Sequence, residues 1–327
     1  MINKKYYNDI KKFPSQFKEG FEIARNLKID GNFSHLQVCG MGGSSFYVDI
    51  INNYLESKDD IDLRLEVNRS YHISNNKSLN EQTLFVLASY SGNTEEILSI
   101  MDEVLAKGYK YIVLSASGKL LERAKENNAV YFQIPLGLQP RLSTGYFIAG
   151  LMKILKNSGL IEFDEQEILK ASEKINSSLD EEKTKDLAEK LVNKVPIIYS
   201  TDNNWSLARV SKIKFNENSK TQSFWNFFPE LNHNEMVGFT NLVMDPYFII
   251  FKSQFTHEKN KKRIEIFSKI MRNKSLPVEI IEMKGDNIFE EIMNAYYFID
   301  HVTYYLAESY NIDPEPVEMV EEFKKMI

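Results

Sequence analysis

The stretch Thr83–Gly108 reads "TLFVLASYSGNTEEILSIMDEVLAKG". It begins as an apolar run short enough for a strand buried on both faces of a parallel sheet. From Glu95 the pattern is helical, and Gly108 stops it. Between strand and helix lies "SYSGNT", where four of six residues carry hydroxyls. A helix N-terminus leaves four backbone N–H groups without partners, and Thr94 or Asn93 can cap them. Capping accounts for one hydroxyl, not three arranged around Gly92. Ser89, Ser91 and Thr94, with the local N–H groups and the helix dipole, form a neutral cradle for a phosphate dianion. No Gly-Lys-Ser/Thr ending follows, so the loop does not read as a triphosphate site.

The same alternation extends on both sides. "HLQVCG" is a strand running into the glycine turn "GMGGSS" (Gly40–Ser45), and "SFYVDIINNYLES" is a helix. "DLRLEVNRS", "YKYIVLSAS" and "AVYFQIP" are further strands, with a helix over "KLLERAKENN". About 25 N-terminal residues form an amphipathic helical lead-in, and residues 146 to 192 show only helical periodicity. Beyond them the alternation restarts with "VPIIYS", "TQSFWNF", "YFIIFKS" and "VEIIEM", separated by helices. The reading is an α/β protein of two αβα sandwich domains with parallel sheets, joined by helices. The domains are drawn at 1–150 and 151–327. No short-period repeat is visible, and the two halves are compatible with distant copies of one fold.

Composition narrows the function. A net charge of −6 over 327 residues gives no electrostatic case for nucleic acid or an anionic membrane. No apolar run reaches the length of a membrane span, and the N-terminus lacks the apolar core of a signal peptide. The single Cys39 excludes an internal disulfide framework, so the expected compartment is the reducing cytoplasm. The run "HEKNKKR" reads as a solvated helix face. Glycine is scarce, 14 residues in all, yet three fall within Gly40–Gly43. That turn lacks a third glycine at Ser45, which disfavours a dinucleotide site and with it an oxidoreductase. A plain strand-to-helix turn remains an alternative for it.

The second half concentrates its polar residues in "FNENSK" and "ELNHNE", which carry Glu217 and His233. A carboxylate and a histidine in turn-like surroundings are the material of general acid–base catalysis. They read equally as a surface glutamate and a capping histidine. The remaining histidines show no metal-ligand spacing, and the sequence calls for no metal and no cofactor.

In order along the chain, "GMGGSS", "SYSGNTEE", "LQPRLSTGY", "FNENSK", "ELNHNEMVGF" and "DPEPVEMVEEFKKMI" resemble the bifunctional phosphoglucose/phosphomannose isomerases. This group of the phosphoglucose isomerase superfamily is built from sugar-isomerase domains. The resemblance implies that Ser89, Ser91 and Thr94 hold the substrate phosphate and that Gly43 and Ser44 contact the sugar. It implies that Arg141 stabilises an enediolate and that Glu217 moves a proton between C1 and C2. His233 and Lys324 would open the sugar ring. It further implies a homodimer in which His233 reaches the partner's site. The substrates would be glucose 6-phosphate and mannose 6-phosphate, interconverted with fructose 6-phosphate. The group links mannose activity to a threonine near Lys324. Here no Ser or Thr lies between Tyr310 and Ile327, and Val317 stands about where it is expected.

Two other readings share parts of this pattern. A sugar-phosphate-binding regulator needs the hydroxyl loop but has no use for Glu217, His233 and Lys324 together. An isomerase of another sugar phosphate would keep the loop without "ELNHNE".

Overall fold

A computed structural model describes residues 1–58, 62–73 and 79–326. Ile327, which closes the quoted C-terminal stretch, lies outside them. Nine strands form two separate sheets among the described residues. The first holds β1 (His35–Gly40), β2 (Arg64–Asn68), β3 (Thr83–Ala88), β4 (Lys110–Ser115) and β5 (Val130–Gln133) in the order β2-β1-β3-β4-β5. The second holds β6 (Val195–Thr201), β7 (Phe224–Phe228), β8 (Pro246–Lys252) and β9 (Val278–Glu282) in the order β7-β6-β8-β9. Every pairing is parallel, and the chain is α/β as expected. Strands β1 and β3 are buried along their whole length, which is why β3 reads as an apolar run without alternation.

The chain divides into two compact units, Lys12–Glu173 and Met1–Lys11 with Lys174–Ile327. A division at 150 would cut the helix Thr144–Asn157. That helix belongs to the first unit because its side chains build its core. Phe147 stacks on Tyr47 with ring centroids 4.8 Å apart, and Gly150 lies against the Phe132 ring. The amphipathic lead-in is two helices, Lys4–Lys11 and Ser15–Ile23, with Pro14 between them. The first of the two packs within the second unit.

In both sheets the strand order reverses at one place, between β1 and β3 and between β6 and β8. In open parallel sheets such a point leaves a crevice beyond the carboxyl ends of the strands, where ligands bind. Register sharpens this in the first sheet. Gly40 pairs with Ala88, so the glycine turn and the hydroxyl loop start side by side. Among the described residues no helix is long and apolar enough to cross a membrane.

Candidate active site

The hydroxyl loop leaves β3 at Ser89, which is 1% exposed. Ser89 Oγ lies 2.7 Å from Thr94 Oγ1 and 3.5 Å from Ser91 Oγ. The Gly92 N–H donates to Ser89 Oγ at 3.1 Å, and the Asn93 N–H donates to Ser91 Oγ at 3.3 Å. Thr94 is the residue before the helix Glu95–Lys107, but its side chain makes no capping hydrogen bond. Its hydroxyl faces Ser89 instead. The three hydroxyls therefore cluster at a helix N-terminus, oriented by backbone donors, and the cap reading does not describe Thr94.

A segment that sequence reasoning passed over supports this loop from below. Ser115–Lys119, after β4, runs against Ser91–Asn93. Ala116 N–H donates to Tyr90 O, Leu120 N–H to Gly92 O, and Lys119 N–H to Asn93 Oδ1 at 3.1 Å. Gly92 (φ +70°) and Gly118 (φ +75°) face each other's loops. A Cβ on Gly92 would sit 1.7 Å from Ser117 O, and one on Gly118 would sit 2.3 Å from Ser91 O. Asn93 is thus engaged in loop packing. The second glycine after a strand, in "SASGK", was the available signal.

The glycine turn closes the other side. A Cβ on Gly43 would lie 2.9 Å from the Arg141 nitrogen, so Gly43 admits the backbone of Pro140–Arg141. Ser44 is buried, and its Oγ accepts the Tyr90 N–H at 3.0 Å, joining turn to hydroxyl loop. The Tyr90 hydroxyl donates to Pro135 O and accepts from Leu138 N–H, which fixes the segment leading into "QPR". Arg141 itself is 2% exposed. Arg69, not singled out by its sequence, donates to Ser45 Oγ and Asp49 Oδ2 across the same turn. The first unit thereby gathers Gly43, Ser44, Ser89, Ser91, Thr94 and Arg141 beyond β1 and β3.

The second unit carries the other expected residues on three separate elements. Glu217 is half-buried in the last turn of the helix Trp205–Asn218. His233 is exposed in the short helix Leu231–Asn234. Lys324 is exposed at the end of the helix Glu318–Lys324 and pairs with Glu321 at 2.8 Å. Beside His233, the Glu235 carboxylate accepts from the Tyr199 hydroxyl and from Asn226 Nδ2. Burial, then that carboxylate, pushes the Tyr199 phenol well up.

The second sheet has a polar cluster of its own just beyond β8. Ser253 Oγ and the Gln254 N–H donate to the Glu291 carboxylate, which is buried completely. Burial pushes that carboxyl up. Thr201 Oγ1 lies 3.0 Å from Thr256 Oγ1, so those hydroxyls satisfy each other. In the hydroxyl cluster of the first unit, Ser91 is exposed and Thr94 partly so. No group of three or more His, Cys, Asp or Glu able to hold a metal occurs among the described residues.

Residues 180–327 match the family model described as the bacterial phospho-glucose isomerase C-terminal SIS domain. The bifunctional phosphoglucose/phosphomannose isomerase of Aquifex aeolicus is 30% identical over 98% of this chain and 97% of its own. The protein of the same name from Caldicellulosiruptor bescii is 31% identical over 98% of each. Among solved structures, a hypothetical protein from Thermus thermophilus superposes with a TM-score of 0.80 at 14% identity. It covers 99% of this chain and 90% of its own. At that identity the likeness speaks to the fold alone.

Proposed function

Because the chain belongs to the family of bifunctional phosphoglucose/phosphomannose isomerases, we propose that it converts glucose 6-phosphate to fructose 6-phosphate through a cis-enediolate, without a metal. Mannose 6-phosphate enters the same intermediate, since the two aldoses differ only at C2. The observation that carries this reading is the cluster of Ser89, Ser91 and Thr94, whose hydroxyls converge while Thr94 leaves the helix uncapped.

In the open-chain aldose, the Glu217 carboxylate takes the C2 proton and the electron pair moves onto the carbonyl oxygen O1. Arg141 stabilises the resulting enediolate, a role a buried, permanently charged guanidinium suits. The O2 hydroxyl proton passes to O1, Glu217 returns its own proton to C1, and the carbonyl forms at C2. Gly43 and Ser44 border the sugar, while His233 and Lys324 exchange the ring protons that open the hemiacetal. A positioned carboxylate and guanidinium make aldose–ketose transfer possible without hydride or metal chemistry. The setting is the cytoplasm, at the step shared by glycolysis and gluconeogenesis.

The direct test is a coupled assay of fructose 6-phosphate formation from each hexose 6-phosphate in the presence of chelator. Turnover of glucose 6-phosphate is expected to survive chelation. Loss on chelation, or no turnover of either sugar, overturns the reading in favour of a binding protein or another isomerase.

Thr94→Ala tests the cradle. Losing one donor to a dianion costs ~1.5–3 kcal/mol of binding and raises KM by about one to two decades, with kcat nearly kept. An unchanged KM accompanied by a lower Tm would return Thr94 to a structural role.

His233 is assigned to the partner's site in a homodimer. Its exposure supports this, as do the exposed apolar side chains of Phe224, Val237 and Val243 on neighbouring sequence. Mixing inactive Glu217→Gln with inactive His233→Ala protein should then restore activity. Random reassortment makes half the dimers mixed, each with one intact site, so roughly a quarter of wild-type activity returns. Subunit exchange shown by differently tagged chains, without recovered activity, would place His233 in its own subunit's site or outside catalysis.

A further inference from the structure

Glu217 occupies the last turn of its helix, where intrahelical bonds run out and fraying starts. A base must nevertheless hold its carboxylate to a fraction of an ångström. What fixes this turn is a set of polar contacts, most of them buried, that the reaction itself does not use. One turn upstream, the fully buried Lys214 ammonium pairs with Asp300 at 2.7 Å and lies over the Tyr296 ring. Lys220 donates to the carbonyl of Glu217 and, at 3.2 Å, to Pro314 O. The neighbour of Glu217 is held most closely. Asn218 Oδ1 accepts the Tyr6 hydroxyl at 2.6 Å, and Asn218 Nδ2 donates to Thr303 Oγ1 at 2.9 Å. Thr303 in turn donates to Ile299 O on the helix Ile288–Ser309. Tyr6, Asn218 and Thr303 are each 0% exposed.

An amide has an acceptor at one end and donors at the other, so a donor and an acceptor on opposite sides set its orientation. Here the donor comes from the N-terminal helix, 212 residues away in sequence. We propose that Tyr6 is a positioning residue for catalysis. Through Asn218 it fixes the last helical turn and hence the Glu217 carboxylate, and this makes the N-terminal helix part of the catalytic apparatus. The proposal rests on Glu217 being the base.

Tyr7 supplies an internal control. It is the next residue of the same helix, and its hydroxyl lies 3.1 Å from that of Tyr305. Tyr6→Phe and Tyr7→Phe each remove one buried hydroxyl from one helix, but only the first touches Asn218. We would measure kcat, KM and Tm for both, and for Thr303→Val and Thr303→Ser. Tyr6→Phe is expected to lower kcat about tenfold or more with KM within about twofold. Tyr7→Phe should lower Tm with kcat within about twofold of wild type. Thr303→Val should reproduce the kcat loss from the other side of Asn218, and Thr303→Ser should recover most of it.

Equal kcat values for Tyr6→Phe and Tyr7→Phe would overturn the proposal, since both hydroxyls would then be structural. A Thr303→Val protein with wild-type kcat would overturn it also. The underlying reading fails separately: an active Glu217→Gln protein removes the base. An inactive Glu217→Gln protein beside a fully active Tyr6→Phe protein removes the positioning role alone.

Discussion

Glu217→Gln is expected to leave a folded protein that binds hexose 6-phosphate almost as well as wild type but turns it over about a thousandfold more slowly. Glutamine keeps the shape and the buried helix face, so Lys214, Asn218 and Lys220 retain their partners. It has no lone pair basic enough to take a proton from carbon. A positioned general base contributes about two to four decades of rate, and the loss belongs in kcat because the missing interaction exists only in the transition state. Single-turnover kinetics with fructose 6-phosphate, alongside an equilibrium binding measurement, separates the two quantities. Activity within about tenfold of wild type would remove Glu217 from the mechanism.

Gly92→Ala should be the most damaging change in the first unit. Two costs combine there. A side chain at φ +70° is strained by about 1–2 kcal/mol. Its Cβ would also sit 1.7 Å from Ser117 O, a backbone atom that no side-chain rotation can move aside. The loop must lift away from Ser115–Lys119, carrying Ser91 and the Ser89 contact of the Gly92 N–H with it. KM for hexose 6-phosphate should rise by about a hundredfold or more, and Tm should fall. Gly108→Ala gives the comparison, since it shares the left-handed backbone (φ +68°) with no atom within 4 Å of the new Cβ. Gly108→Ala should lower Tm modestly and leave KM alone. If the two variants behave alike, the glycine at position 92 serves only its own backbone angle.

The strands and the hydroxyl loop were legible because each is a local pattern. "TLFVLA" is apolar after Thr83 because β3 is covered on both faces, and "SYSGNT" follows it directly. What escaped depends on partners distant in sequence. Nothing near Ser44 announces that its hydroxyl meets the Tyr90 N–H, or that Gly118 must be small because Ser91 O lies against it. Residue 150 reads as a boundary because unbroken helical periodicity begins near it. Phe147 and Gly150 pack inward on Tyr47 and Phe132, contacts that no spacing rule contains. The bond from Ser253 to the Glu291 carboxylate is of the same kind, since its partner comes from a different helix.

The N-terminal helix also bears on how the molecule is made. Met1–Lys11 packs with Lys174–Ile327, so about 160 residues of the first unit are synthesised between a segment and its companions. At about 5–20 residues per second, tens of seconds separate the emergence of Tyr6 from that of Asn218 and Thr303. During that interval the first unit has its whole sequence available and can close around its own sheet. The helix bearing Tyr6 must wait on the ribosome with Tyr6, Tyr7 and Ile10 uncovered, the side chains it later buries. Residues translated early are thus among the last to find their places, and a nascent chain whose Glu173 has left the ribosome would hold a complete first unit and an unclaimed helix.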